Sequence, residues 1–245
     1  MPLLTQNSEL KPHRIHNFAI PAWFVRLDGE IFKTCPNAGA CAKVCYARNG
    51  TYLFSNVLAA HTKNLRLTLK EPVLFRATIN KELSHKRFKP TGQPRQMPEG
   101  VELTDDRWLQ DWIQNGGAAV RIHDSGDFYS ETYLYLWFAI AADNPEVLFY
   151  AYTKEVAMFK EHDNKAPINF RWLYSTGGLQ DSLITAEDRR ADVFPNEEAI
   201  IDAGYTSQDA TDLLAILLKT NLVGIPANNI KHFNKKIAGR RFSEL

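Results

Sequence analysis

Between residues 118 and 225 short apolar runs alternate with helical patterns at intervals of about 20–30 residues, as βα units and a parallel sheet require. Strands are expected over 118–123, 147–152, 169–174 and 222–225, with a short further one at 199–202. Helices are expected over 131–142 behind Ser130, 155–161 behind Thr153, and 209–220 behind Thr206 or Ser207. A shorter helix is expected near 186–190. Upstream, residues 23–33 read as a hairpin around Asp28-Gly29. Helices should follow over 52–69, over 73–86 after Pro72, and over 105–115 between Thr104 and Gly116-Gly117. The expected fold is α/β, a partial or complete βα barrel with mostly parallel strands; an open doubly wound sheet fits the same alternation.

No linker divides the chain, so residues 1–245 read as a single βα domain. The stretch 89–100, with Pro90, Gly92, Pro94, Pro98 and Gly100, is a loop. The tail 231–245 carries Lys231, Lys235, Lys236, Arg240 and Arg241 with little apolar content, and should be loosely held. The aromatic helix with Tyr133, Tyr135, Trp137 and Phe138 reads as core. Twenty-nine Lys and Arg balance 28 Asp and Glu, so no bulk basic field points to nucleic acid or to an anionic membrane. Residues 1–10 have no apolar signal region, and no run approaches the roughly 18 apolar residues of a membrane span. A cytoplasmic protein without a membrane partner is expected.

In parallel βα architecture, functional groups gather at the C-terminal ends of the strands. Those ends here read Thr34-Cys35, then His123-Asp124-Ser125-Gly126-Asp127, then Tyr152-Thr153-Lys154, then Tyr174-Ser175-Thr176-Gly177-Gly178. The cofactor-binding candidates are therefore His123, Ser125, Gly126, Asp127, Lys154 and Ser175. Lys154 suits an anionic group, and the Ser175–Gly178 amides suit a ribose or phosphate. Arg121, at the same strand parity as His123, should point inward and pair with a carboxylate.

All three cysteines fall in one loop, Cys35-x5-Cys41-x3-Cys45. An odd, clustered set is not a disulfide framework. Ala38, Gly39 and Ala40 let the backbone wrap closely, and short loops of this kind bring soft thiolates onto one metal centre. Cys35, Cys41 and Cys45 are thus candidate metal ligands. A [4Fe-4S] cluster would keep one open iron. A zinc ion would take a fourth ligand, with His61, His85 and His123 as candidates. Three buried cysteines acting as small hydrophobes are the remaining reading.

The segments Cys35-Pro-x-Ala-x3-Cys41-x3-Cys45-Tyr46-Ala47, Arg121-Ile-His123-x-Ser125-Gly126-Asp127-Phe128 and Phe149-Tyr-Ala-Tyr152-Thr153-Lys154 together resemble the bacteriophage gene 88 protein family over roughly residues 18–226. That resemblance implies a phage-encoded protein. The three-cysteine loop with a glycine–acid motif at a strand end is more distantly similar to the radical S-adenosylmethionine enzymes. By that likeness Cys35, Cys41 and Cys45 would hold a [4Fe-4S] cluster, and Val44 would be the hydrophobic residue before its last ligand. Ser125-Gly126-Asp127 would stand where a Gly-Gly-Glu motif contacts the amino group of S-adenosylmethionine. The spacing departs from the usual C-x3-C-x2-C, and Asp is shorter than Glu by about 1.5 Å, one C–C bond. With no cysteine after Cys45, a second cluster is not expected.

The resemblance implies a [4Fe-4S] protein, with S-adenosylmethionine as a second cofactor, reductive cleavage chemistry, an electron-donor protein and an unknown small-molecule or protein substrate. The competing expectations are a non-enzymatic iron–sulfur or zinc module acting through a phage or host partner, and a zinc-dependent hydrolase or nucleic-acid factor.

Overall fold

A computed structural model describes residues 2–227 and 231–245. The strands are β1 (Ile15–Phe18), β2 (Phe24–Leu27), β3 (Glu30–Lys33), β4 (Ala119–Ile122), β5 (Leu148–Thr153), β6 (Phe170–Ser175), β7 (Arg190–Phe194), β8 (Thr206–Ser207) and β9 (Leu222–Pro226). The helices are α1 (Cys41–Val44), α2 (Ser55–Lys70), α3 (Pro72–Leu83), α4 (Arg107–Gln114), α5 (Glu131–Asp143), α6 (Val156–His162), α7 (Glu197–Asp202), α8 (Leu214–Leu217) and α9 (Lys231–Ile237). Seven strands form one sheet in the order β1-β4-β5-β6-β7-β9-β8, and every neighbouring pair is parallel.

The hairpin forms where Asp28 and Gly29 both take positive φ, at +52° and +92°, which the right-handed twist of the flanking strands favours. It makes a separate two-stranded sheet of β2 and β3. This corrects the sequence reading, in which the strand ending at Thr34-Cys35 belonged to the parallel set. The first parallel strand is β1, too short and too polar (Ile-His-Asn-Phe) to stand out as a periodic run. Ser130 caps α5 by accepting the Tyr133 amide proton at 3.3 Å, as expected. Pro72 occupies the first turn of α3. The cap of α4 is Asp106, which accepts from the Leu109 amide at 3.0 Å, rather than Thr104.

Three other readings are corrected. Residues 190–194 form β7, not the end of a helix. Residues 197–202 form α7, because Asn196 accepts from the Ala199 amide and caps a helix where a strand was expected. The helix expected over 209–220 shrinks to Leu214–Leu217. Its apolar residues all pack inward, so burial and not helical periodicity explains the run.

Alternate residues of each strand serve two faces. On one face, Val120, Ile122, Phe149, Ala151 and Phe170 pack against α2, α3, α5 and α6 through Leu65, Phe75, Trp137 and Phe159. On the other, Ile15, Ala119, Leu148, Leu173 and Val223 pack against α4 and the segment 213–218. The second core fills only the lower part of its face. Above it the same face opens into a cavity.

The tail is docked, contrary to expectation. Ile237 and Phe242 are buried with Val44 and Ala227 behind α1. Ser243 donates from its hydroxyl to Asp192 at 2.5 Å, and the Lys236 ammonium donates to the Lys43 carbonyl at 2.9 Å. The side chain of Lys231 lies outside the described residues.

Candidate functional site at the strand ends

A cavity of about 810 Å³ opens at the C-terminal ends of the parallel strands, where functional groups gather in such sheets. Cys35, Cys41 and Cys45 line it together with His123, Ser125, Gly126, Asp127, Lys154 and Ser175. The nine positions singled out in the sequence thus meet in one place. Phe242 of the tail lines it as well.

The cysteine loop is clamped from several sides. Its first residue is held to the hairpin: the Trp23 amide donates to the Cys35 sulfur at 3.2 Å. The carboxylate of Glu155 accepts the Asn37 backbone amide at 3.1 Å and its side-chain amide at 2.6 Å. The Leu179 amide donates to the Asn37 carbonyl, and the Cys41 amide to the Gly177 carbonyl. Gly39 makes this approach feasible. Its φ is +54°, and a Cβ there would lie 2.6 Å from the Gly177 oxygen and 2.7 Å from the Gly178 carbonyl carbon. The three thiols are free, with no disulfide. Burial, reinforced by Asp127, pushes the Cys35 thiol up to about 12. A hydrogen bond from the Cys45 thiol, with help from Lys154, lowers the Cys41 pKa, and the same bond together with burial drives Cys45 upward.

The glycine–acid motif faces this loop but spends its polar atoms on the scaffold. The Ser125 hydroxyl donates to the Ile20 carbonyl at 2.8 Å, and its own carbonyl accepts from the Ile20 amide. The Asp127 carboxylate accepts from the Thr153 hydroxyl (2.7 Å), the Phe128 amide (2.8 Å) and the Lys154 amide (2.9 Å). Burial raises its pKa despite those donors. The Asp127 amide donates to the Thr34 carbonyl and so ties the cysteine strand to the sheet.

The Lys154 ammonium has three donors, and all are taken: by the Ser175 carbonyl, the Ser175 hydroxyl and the Thr176 carbonyl, at 2.7–2.8 Å. The Gly177 and Gly178 amides, expected to suit a ribose or phosphate, instead donate to Asp181 at 2.7 and 2.9 Å. A carboxylate already occupies that nest.

Of the three histidines offered as a zinc's fourth ligand, only His123 lines the cavity. His85 caps a short turn by accepting from the Arg87 amide, and His61 packs beside Tyr52. His123 shares a hydrogen bond with the Tyr133 hydroxyl through Nε2 at 2.8 Å. Its Nδ1 is buried without a partner, and burial lowers its pKa to about 3.

Deeper on the cavity face lies a polar cluster that the sequence reading reached only through Arg121. That residue does point inward, with its guanidinium 3.5 Å from Asp212 and 3.8 Å from Asp124. Burial opposes its charge, but Asp212, Tyr46 and Asp124 hold it firmly protonated. The hydroxyls of Tyr150 and Tyr152 donate to Asp212, Tyr52 donates to Asp124 at 2.6 Å, and Tyr46 donates to the Asp124 carbonyl at 2.5 Å. Tyr46 therefore links the residue after Cys45 to the sheet. Its adjacency to the last cysteine was the available signal. Asp212 was masked by the helix expected around it.

A family model described as "Gene product 88" matches residues 2–244. The chain belongs to the Gene product 88 family. The "Gene 88 protein" of Mycobacterium phage L5 is 31% identical over 122 residues, 49% of this chain and 43% of that protein. The aligned region thus spans under half of the phage relative's length. No solved structure matches. Among the described residues no helix is long and apolar enough to cross a membrane.

Proposed function

We propose that this member of the Gene product 88 family is a phage-encoded, cytoplasmic protein that binds a [4Fe-4S] cluster through Cys35, Cys41 and Cys45, with S-adenosylmethionine at the open iron. The observation that carries the reading is three unpaired thiols on one clamped loop, all facing one cavity at the strand ends. The donor set fits: soft thiolates, a backbone amide already donating to the Cys35 sulfur, and no fourth cysteine. Among the described residues, the one His/Cys/Asp/Glu trio whose ligand atoms lie within 4.8 Å of one another does not include the cysteines.

When bound, such a cluster supplies the electron for reductive cleavage of S-adenosylmethionine, drawn from an electron-donor protein. The chain's own part is to orient and exclude. Glu155 and the Gly177-Gly178 turn fix the loop, and Asp127 couples that turn's lysine to the cysteine strand. The remaining cavity holds the substrate against the Arg121 cluster. We read the sheet as the wall of a partial βα barrel, supported by the consecutive order β4-β5-β6-β7 and by a cavity confined to one face.

A second reading keeps the cluster without the chemistry, as a module acting through a phage or host protein. It is favoured by Ser125, Asp127 and Lys154, whose polar atoms are largely consumed inside the protein. Anaerobic purification tests both. A brown protein with about four irons per chain is expected, and Ser substitution at Cys35, Cys41 or Cys45 should remove the iron. Colourless protein with one zinc overturns both readings. Methionine released from S-adenosylmethionine under reduction supports the enzyme; an intact cluster with no methionine supports the module.

A further inference from the structure

A cluster of metal-ligand residue types lies in the helical layer, and none of its members lines the cavity. Glu131, Glu161 and His162 bring an imidazole nitrogen and two carboxylate oxygens within 4.8 Å of one another. Glu131 opens α5, while Glu161 and His162 close α6. The two carboxylates are exposed and the histidine is not: His162 is 5% exposed. Its Nε2 is buried with no hydrogen-bond partner and stands 3.5 Å from the Glu131 Oε2. Ligand atoms on one tetrahedral cation at 2.0–2.1 Å would be about 3.3 Å apart, so little movement separates the pair from a coordinating geometry.

The other ring nitrogen is also prepared. The Tyr135 hydroxyl, one turn along α5 from Glu131, lies 3.0 Å from His162 Nδ1. Lys165 donates to the same hydroxyl oxygen at 2.6 Å. A metal-ligating histidine needs its second nitrogen to carry the proton and give it to an acceptor, which fixes the ring and leaves a lone pair on the other. The Tyr135 oxygen can be that acceptor. Two carboxylates against one nearby ammonium leave the group net negative, and three protein ligands leave positions for water.

We propose that Glu131, Glu161 and His162 bind a first-row divalent cation of the manganese-to-zinc class, independently of the cysteine loop. Imidazole with two carboxylates is a donor set those ions share, whereas thiolates discriminate against manganese. Mn²⁺ is therefore the probe, followed through loss of its free electron-paramagnetic-resonance signal on titration into the full chain. Binding of one Mn²⁺ per chain is expected, weakened at least tenfold by Glu161→Gln and by His162→Ala and unchanged by Cys41→Ser. Glu161 is exposed, so its variant folds irrespective of what His162→Ala does to packing. Absence of binding at millimolar Mn²⁺, or binding undiminished in Glu161→Gln, overturns the proposal.

Discussion

The two faces of the parallel sheet are built from alternate residues of the same strands and treat charge in opposite ways. Along β4, Val120 and Ile122 enter the helix face while Arg121 enters the cavity face. Along β5, Phe149 and Ala151 oppose Tyr150 and Tyr152. The helix face is closed by rings packed edge to face, such as Phe18 on Trp137 at 5.2 Å and Phe128 on Phe159 at 4.9 Å. The cavity face gathers a guanidinium, two aspartates and four tyrosines, of which Tyr150 is buried, Tyr46 exposed and the rest half-buried. Burying charge is costly unless every group is paired, and apolar replacements of equal volume are often no less stable. A chain needing only stability could fill both faces alike. That the polar groups concentrate beside the cysteine loop marks this end of one face as the part shaped by something other than folding.

Breaking each face should therefore fail differently. Phe149→Ala opens a void in the helix face and should cost about 3–5 kcal/mol in urea unfolding. On the iron–sulfur reading proposed above, the molecules that remain folded should bind as much iron as the parent, since Phe149 does not line the cavity. Metal loss in the folded fraction would mean that the faces are not separable. Arg121→Met leaves the half-buried Asp212 and Asp124 without the cation they share and should cost about 2–3 kcal/mol at neutral pH. The measurement is the urea midpoint at pH 7 of Arg121→Met beside Arg121→Lys, which keeps a cation near both carboxylates. An equal loss in the two variants would show that the arginine acts through packing alone.

The same contrast explains what could be read in the sequence. The β4, β5, β6 and β9 runs were legible because their helix-face residues are apolar and their caps, such as Ser130, are local. β1 and β7 were not, since Ile-His-Asn-Phe and Arg-Ala-Asp-Val-Phe become strands only by pairing with β4 and β9 across long stretches of chain. At the site, the positions were legible and their bonds were not. Spacing indicated that Lys154 and Ser175 would share a rim, but not that Lys154 would give all its protons to the turn after β6, or that Asp181 would fill the glycine nest. Those partners are set by tertiary contacts that no local period encodes. Asp212 stayed hidden for the same reason, in an apolar run read as helix but held by burial.

The exception on the helix face supplies the smallest effect. His16 lies among apolar groups, its ring 4.2 Å from that of Phe88, and neither ring nitrogen has a partner. Burial, reinforced by Arg87 and Arg14, lowers its pKa from 6.5 to about 4. The folded state thus holds the ring neutral where the unfolded chain would protonate it. The stability that depends on this is present in full above pH 6.5 and is lost as the pH falls through about 4. Replacement by an apolar residue removes that proton uptake, so His16→Leu should match the parent at pH 7.5 and exceed it by about 2 kcal/mol at pH 5. The measurement is the urea midpoint as a function of pH. His123, lowered to about 3, leaves the variant a shallower acid limb of its own. Equal slopes in parent and variant would show that the helix face tolerates a charged ring, and the contrast between the faces would then rest on the Arg121 cluster alone.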